Sequence, residues 1–444
     1  MSGLADSAPA GAAPAAPTSR PSLRGMLAAT EIDARLLGML LAFVAILLGF
    51  HILSGGKLIN PANMVTLAVQ ASGVAIMATG MVLIIVSRNI DLSVGSQVGV
   101  IAMVYAVLMT DILPDVVGVP VGSPIMWVLA LALGVGLGAI IGGFQGFIIA
   151  YIGVPSFVVT LGGLLALRGT VWVLSEGAAV TGIDSTFRQI GGGVPGSLGG
   201  EVTWVLAILG SIGIIGYIVY NRRQRVRFGF PVRPLWAEII IVILGCAILL
   251  ALAAFANENV YPKGVATRIA EERGIEEPPG GLRVPMGVSW PIILLIGVGI
   301  VMTFLATRRR FGRYVYAYGG NPEAADLAGI NTRWTIMKTF IVMGVLCSIA
   351  GAIVVGRLNG AAQDLGSTDE LYVIAAAVVG GTSFAGGIGT IPGAILGAFV
   401  MAALAYGLAF MGVPSPIQSI VAGIVLVVAV GFDTFNRRRG GARR

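Results

Sequence analysis

Residues 308–335 read RRRFGRYVYAYGGNPEAADLAGINTRWT, a polar and helix-forming run set between two long apolar segments. Within it, Pro322 follows Asn321, which suits a helix start with Asn as the N-cap and Pro at the first helical position. Glu323 then faces the positive end of the helix dipole, and Gly329 marks a stop. The pattern predicts a helix of about two turns, too short to be stable alone. It needs a docking surface, either the end of a membrane helix or a partner protein.

Around this loop the chain is close to hydrocarbon. Of its 444 residues 56% are hydrophobic and 11% charged, with a mean hydropathy of +0.92. Soluble domains carry about 25% charged residues, so too few polar side chains exist to cover a globule of this size. Only helices and closed barrels satisfy the backbone in lipid, and barrel strands alternate apolar with polar residues. The apolar runs here are unbroken. The fold class is therefore all-α, a polytopic membrane bundle.

Spans of roughly 20 residues predict twelve crossings: 36–53, 64–86, 92–110, 125–150, 157–174, 203–220, 237–256, 289–306, 336–356, 371–386, 391–411 and 417–433. The tenth is short and runs into GGTSFAGGIGT at 380–390, a half-helix or re-entrant pattern. With the N-terminus placed in the cytoplasm, twenty of the 28 Lys and Arg residues fall inside, seven fall outside and Arg168 lies within a span. The positive-inside rule thus favours an even number of crossings with both termini cytoplasmic, and ten would satisfy it as well as twelve. The Arg clusters sit beside membrane ends, where orientation and anchoring explain them. No nucleic-acid partner is implied by the net charge of +7.

Residues 1–30, rich in Ala, Pro and Ser, read as a disordered cytoplasmic tail. No cleaved signal peptide is expected, because no small-residue cleavage site follows the first apolar run. The membrane domain covers 31–436, with an inserted helix pair at 202–256 and the polar loop at 307–335; a basic tail follows at 437–444. The external loop 257–288 carries RIAEERGIEEPPGG, which predicts a short surface helix ending at the prolines. GVPS recurs at 153–156 and 412–415, an echo that duplication or chance explains equally. Glycines concentrate within spans such as 133–146, for close helix packing or to line a path.

Polar groups inside apolar sequence are the candidate site. SRNIDLSVGS at 87–96 contributes Arg88, Asn89, Asp91 and Ser93. Such groups belong at an interface or a protected cavity. Asp91 suits the start of the third helix, and the segment is read both as a turn and as a gate or translocation element. Arg168 lies toward the outer end of its span, where it snorkels, with Glu176 two turns on. Gln145 and Thr160 are isolated polar groups that either bond a hydroxylated solute or bridge helices.

Several chemistries are excluded. No GxxxxGK[ST] loop binds ATP, no intramembrane chain of Asp, Glu or His relays protons, and no nucleophile–base pair is present. Cys246 and Cys347 fall in apolar spans as packing residues, the single His51 has no catalytic partner, and no metal site or cofactor is expected. The chain does not read as an enzyme. A helical membrane protein presenting one capped polar helix to the cytoplasm reads as a transport subunit driven by another protein.

Glu323, Ala324, Ala325 and Gly329 resemble the EAA loop of ABC importer permeases, although the later Ile and Leu-Pro positions of the longer motif are absent. FGRYVYAYGGNPEAADLAGIN (311–331), NIDLSVGS (89–96), VPSFVVTLGGLLALRG (154–169) and VVGGTSFAGGIGTIPGAILGAF (378–399) are similar to the monosaccharide branch of those permeases, over about residues 60–435. The extra helix pair makes the chain most similar to D-xylose permeases. The resemblance implies a homodimer in a bacterial inner membrane, two ATP-binding cassette subunits below and a periplasmic sugar-binding protein above. Asn321, Glu323, Ala324, Ala325 and Gly329 would couple to the ATP-binding subunit. Arg88, Asn89, Asp91, Ser93, Gln145, Thr160 and Arg168 are the candidates for a translocation path or gate. An ion-coupled secondary sugar carrier or a passive channel is the rival reading.

Overall fold

The computed structural model describes residues 34–273 and 282–441. The 1–30 tail and the prolines after residue 273 lie outside them. The helices are α1 (Ala34–Leu53), α2 (Pro61–Val86), α3 (Val94–Val107), α4 (Pro124–Phe147) and α5 (Ser156–Ser175). A two-residue strand β1 (Val180–Thr181) and the short α6 (Ser185–Arg188) precede α7 (Gly200–Arg227), α8 (Leu235–Asn257) and α9 (Lys263–Arg273). Next come α10 (Trp290–Arg308), α11 (Arg310–Gly320), α12 (Pro322–Leu327) and α13 (Thr332–Leu358). The strand β2 (Gly360–Ala361), α14 (Asp369–Val379), α15 (Ile391–Phe410) and α16 (Ser415–Gly441) complete the chain.

Ten helical segments among the described residues are long and apolar enough to cross a membrane. The third reaches full length because α3 continues as a π-helix, Leu108–Val116, and α4 likewise continues over Ile148–Ile152. The tenth candidate is the half-helix that its sequence suggests. Its helix, α14, has 11 residues, about 16 Å at 1.5 Å per residue, half a bilayer core. Beyond it, residues 380–390 run without a helix to the end of the bundle that holds the 87–93 turn. There the Gly387 amide donates to Val86 O at 3.0 Å, and Tyr316 Oη donates to Gly389 O at 2.8 Å. Irregular backbone is tolerated where protein covers it, and Thr382 and Ser383 are buried. The twelfth candidate is α16, apolar over Ser415–Val428.

The core is formed by α2, α3, α13, α14 and α15, with α1, α5, α7 and α8 exposing apolar faces outside it. No hydrophobic force separates helix from lipid in a bilayer, so close approach depends on small residues. Gly134, Gly138, Gly142 and Gly146, four apart on one face of α4, lie over Tyr105 and the backbone of α13. A Cβ on Gly138 or Gly344 would enter the facing helix's carbonyl. Ser348 Oγ donates to Gly134 O at 3.0 Å across the same contact. Packing therefore explains this glycine stripe.

The α7–α8 pair packs mainly on itself, with Arg222 and Glu238 in an ion pair at 2.7 Å near its connecting loop. At the opposite end from the 87–93 turn, β1 pairs antiparallel with β2. Cys246 and Cys347 are free thiols, and His51 Nδ1 accepts from the Ile59 amide at 3.1 Å, a structural role.

Candidate coupling helix and polar core

The predicted two-turn helix exists as α12, bounded as its residues dictate. Asn321 Oδ1 accepts from the Ala324 amide at 3.1 Å and Pro322 opens the helix. Gly329 adopts φ +75°, and the Ile330 amide donates to Ala325 O at 3.1 Å, so the chain reverses at the left-handed position that glycine favours. Ala325 is buried, while Glu323, Ala324 and Gly329 are exposed. Leu327 is 89% exposed, an apolar tip one turn beyond Glu323. Asp326 is held from α13 by Thr332 Oγ1 at 2.8 Å. The helix presents a small face with a carboxylate and a leucine, braced from behind.

The 87–93 turn is anchored to the same unit. Arg88, at φ +60°, donates from Nε to Gly319 O at 2.8 Å and from Nη2 to Gly320 O at 3.0 Å. These are carbonyls at the C-terminus of α11, where a cation is favoured. Gly319 admits this approach, since a Cβ there would meet Val86 O.

Inside the turn, polar groups converge. Asp91 Oδ1 accepts from the Ser93 amide at 2.8 Å and from Ser93 Oγ at 2.6 Å. Gln97 Nε2 donates to Ser93 Oγ at 2.8 Å and to Gln145 Oε1 at 3.2 Å. Ser93 Oγ also lies 3.0 Å from Gln145 Oε1. Asp91 lies in the connection outside the spans, and burial pushes its carboxyl up to about 6, opposed by the Ser93 bonds. Asp91 Oδ2 and Gln97 Oε1 have no protein partner. The start of α5 joins the same turn. The Ile90 amide donates to Ser156 Oγ at 3.3 Å, and Thr160 Oγ1 lies 3.3 Å from Ile90 O and 2.8 Å from Ser156 O.

The structure thus brings Asp91, Ser93 and Gln145 together, joins Thr160 to the same turn at Ile90 O, and turns Arg88 away toward α11, with Asn89 closing the turn through Ser87 O at 2.9 Å. Two expectations are corrected. Asp91 does not cap α3: Ser93 occupies the cap position, and the Asp91 side chain is spent on the preceding turn. Arg168 stands apart, exposed on α5, and α5 ends at Ser175 with Glu176 in the left-handed conformation; the two side chains form no ion pair among the described residues. Gln145 bridges α4 to α3 through Gln97, while Thr160 bonds its own helix and the turn at Ile90 O. Sequence reasoning missed Gln97, Ser156, Gly319 and Leu327; an amide inside an apolar span and a leucine on a polar two-turn helix were the available signals. No group of three His, Cys, Asp or Glu among the described residues forms a metal site.

The family model described as the branched-chain amino acid transport system / permease component matches residues 63–233 and 201–430. The chain belongs to this permease family. The permease is 34% identical over 420 residues to the xylose transport system permease protein XylH of Escherichia coli (strain K12), covering 94% of this chain and 96% of the relative. It is 40% identical over 153 residues to the ribose import permease protein RbsC of Escherichia coli (strain K12), covering 34% of this chain and 48% of the relative. It is 38% identical over 145 residues to the galactose/methyl galactoside import permease protein MglC of the same strain, covering 33% of this chain and 43% of the relative. No solved structure matches the permease.

Proposed function

We propose that this permease is the membrane subunit of an ATP-driven sugar importer in a bacterial inner membrane, for xylose or a related monosaccharide. The observation that carries the mechanism is the protruding α12, capped by Asn321 and stopped at Gly329, with Glu323 and the 89% exposed Leu327 outward. An ATP-binding cassette subunit docks on this face. A periplasmic sugar-binding protein delivers substrate at the opposite end, and two copies of the chain frame the path.

In this reading, closure of the ATP-binding subunits displaces α12 and, with it, α11. Arg88 passes that movement to the 87–93 turn through the Gly319 and Gly320 carbonyls. The turn acts on α5 through Ile90 and on α4 through Ser93 and Gln145. The result is alternation between inward- and outward-facing cavities, the cycle general to transporters. The chain supplies no hydrolytic chemistry of its own; sugar selection falls chiefly to the binding protein.

Sugar uptake into proteoliposomes tests the proposal. Uptake is expected only with the ATP-binding subunit, the sugar-binding protein and ATP all present. Uptake by this chain alone under an imposed ion gradient would instead establish an ion-coupled carrier.

A further inference from the structure

A groove of about 1050 Å³ runs between α7 and the face formed by α10 and α15. It is lined along α10 from Ile292 to Arg308, a distance of about 24 Å at 1.5 Å per residue. Ile296 is 51% and Ile300 66% exposed to it. Tyr217 of α7 closes the far wall. The groove exists because α7 packs on α8 rather than against α10. A greasy channel this long at membrane depth holds neither a void nor a column of water.

Its end is chemically distinct. Arg308 lines it and has no ion-pair partner among the described residues. Arg309 follows, its guanidinium 4.9 Å from the ring centroid of Phe304, another lining residue. An apolar channel ending in two arginines complements a molecule with long hydrocarbon and one anionic head.

We propose that this groove binds an anionic phospholipid, its acyl chains along α10 and its phosphate at Arg308. The lipid then fills the space between the α7–α8 pair and the core. The inference is independent of the transported solute.

The test is native mass spectrometry of the purified, delipidated protein titrated with phosphatidylglycerol or phosphatidylcholine of identical chains. Wild type is expected to retain phosphatidylglycerol on the order of fivefold more strongly. Arg308→Gln removes that preference, Arg308→Lys keeps it, and Ile300→Trp, which fills the groove, weakens both lipids. Both positions are solvent- or lipid-facing, so the variants fold, as a monodisperse elution profile verifies. Equal retention of the two lipids by wild type overturns the proposal, as does phosphatidylglycerol retention unchanged in both Arg308→Gln and Ile300→Trp. A disulfide between two Ile300→Cys chains, with no lipid retained, overturns it in favour of a second copy of the chain.

Discussion

Arg88 Nε lies 2.8 Å from the carbonyl oxygen of Gly319, a bond that ties the turn after α2 to the last turn of α11. A charge-assisted bond of this kind contributes about 1.5–3 kcal/mol when sheltered, less here because the guanidinium is partly exposed. Arg88→Ala is expected to leave ATP hydrolysis by the assembled transporter largely intact while uptake falls at least about tenfold. Arg88→Lys, which loses the fork geometry, falls between. Hydrolysis and uptake measured on the same proteoliposomes decide the matter; equal losses in both would point to a folding defect.

Leu327 meets no neighbour that would be missed. Leu327→Ala is expected to leave thermal stability unchanged within about 0.5 kcal/mol. It should weaken binding to the ATP-binding subunit by roughly tenfold or more, since burying a leucine is worth about 1.5–3 kcal/mol. Interferometry with the detergent-purified partner measures this. Unaltered affinity would mean the partner docks elsewhere.

Gly329 at φ +75° sets the stop of α12. A β-branched residue there costs about 1–2 kcal/mol of local strain and re-aims the helix. Gly329→Val and Glu323→Ala are expected to insert normally, yet uncouple hydrolysis from uptake. Normal uptake by both variants would remove α12 from the mechanism.

Asp91 makes stability depend on pH. Its folded-state value near 6 lies above the ordinary 3.8, so the folded chain holds the proton more tightly than the unfolded chain. The contribution is whole below about pH 4 and is lost as pH rises through 6. Between pH 5 and pH 8 the loss is on the order of 1 kcal/mol. Asp91→Asn should gain stability relative to wild type at pH 8 more than at pH 5. Detergent unfolding curves at the two pH values supply the comparison, and a constant difference would contradict the assignment.

Gly344 abuts the Gly138 carbonyl, leaving no space for a side chain. Gly344→Leu is expected to separate α4 from α13 at a cost of about 1–3 kcal/mol or more. Gly297→Ala, where an added Cβ meets nothing within 4 Å, is the neutral control. Lower melting temperature in the first alone is the expected result.

Local chemistry made much of this protein legible. Asn321, Pro322 and Gly329 are start and stop signals whose effect is confined to a few neighbouring bonds, and α12 begins and ends where they require. The apolar runs likewise marked nearly every long helix, because spanning hydrocarbon demands roughly 20 apolar residues in succession. The π-helical extension of α3 was not marked, since it changes hydrogen-bond register without changing composition.

What the sequence by itself determined was a helical membrane body, its spans and the capped rod between two of them, because burial in lipid and capping act on residues close in the chain. The tertiary structure alone decided that Arg88 would meet the carbonyls of Gly319 and Gly320, that Asp91, Ser93, Gln97 and Gln145 would share one network, and that Arg168 would stand outside it. Arg88 and Gly319 are 231 residues apart. No periodicity encodes such a pairing; it follows from which glycines let which backbones approach.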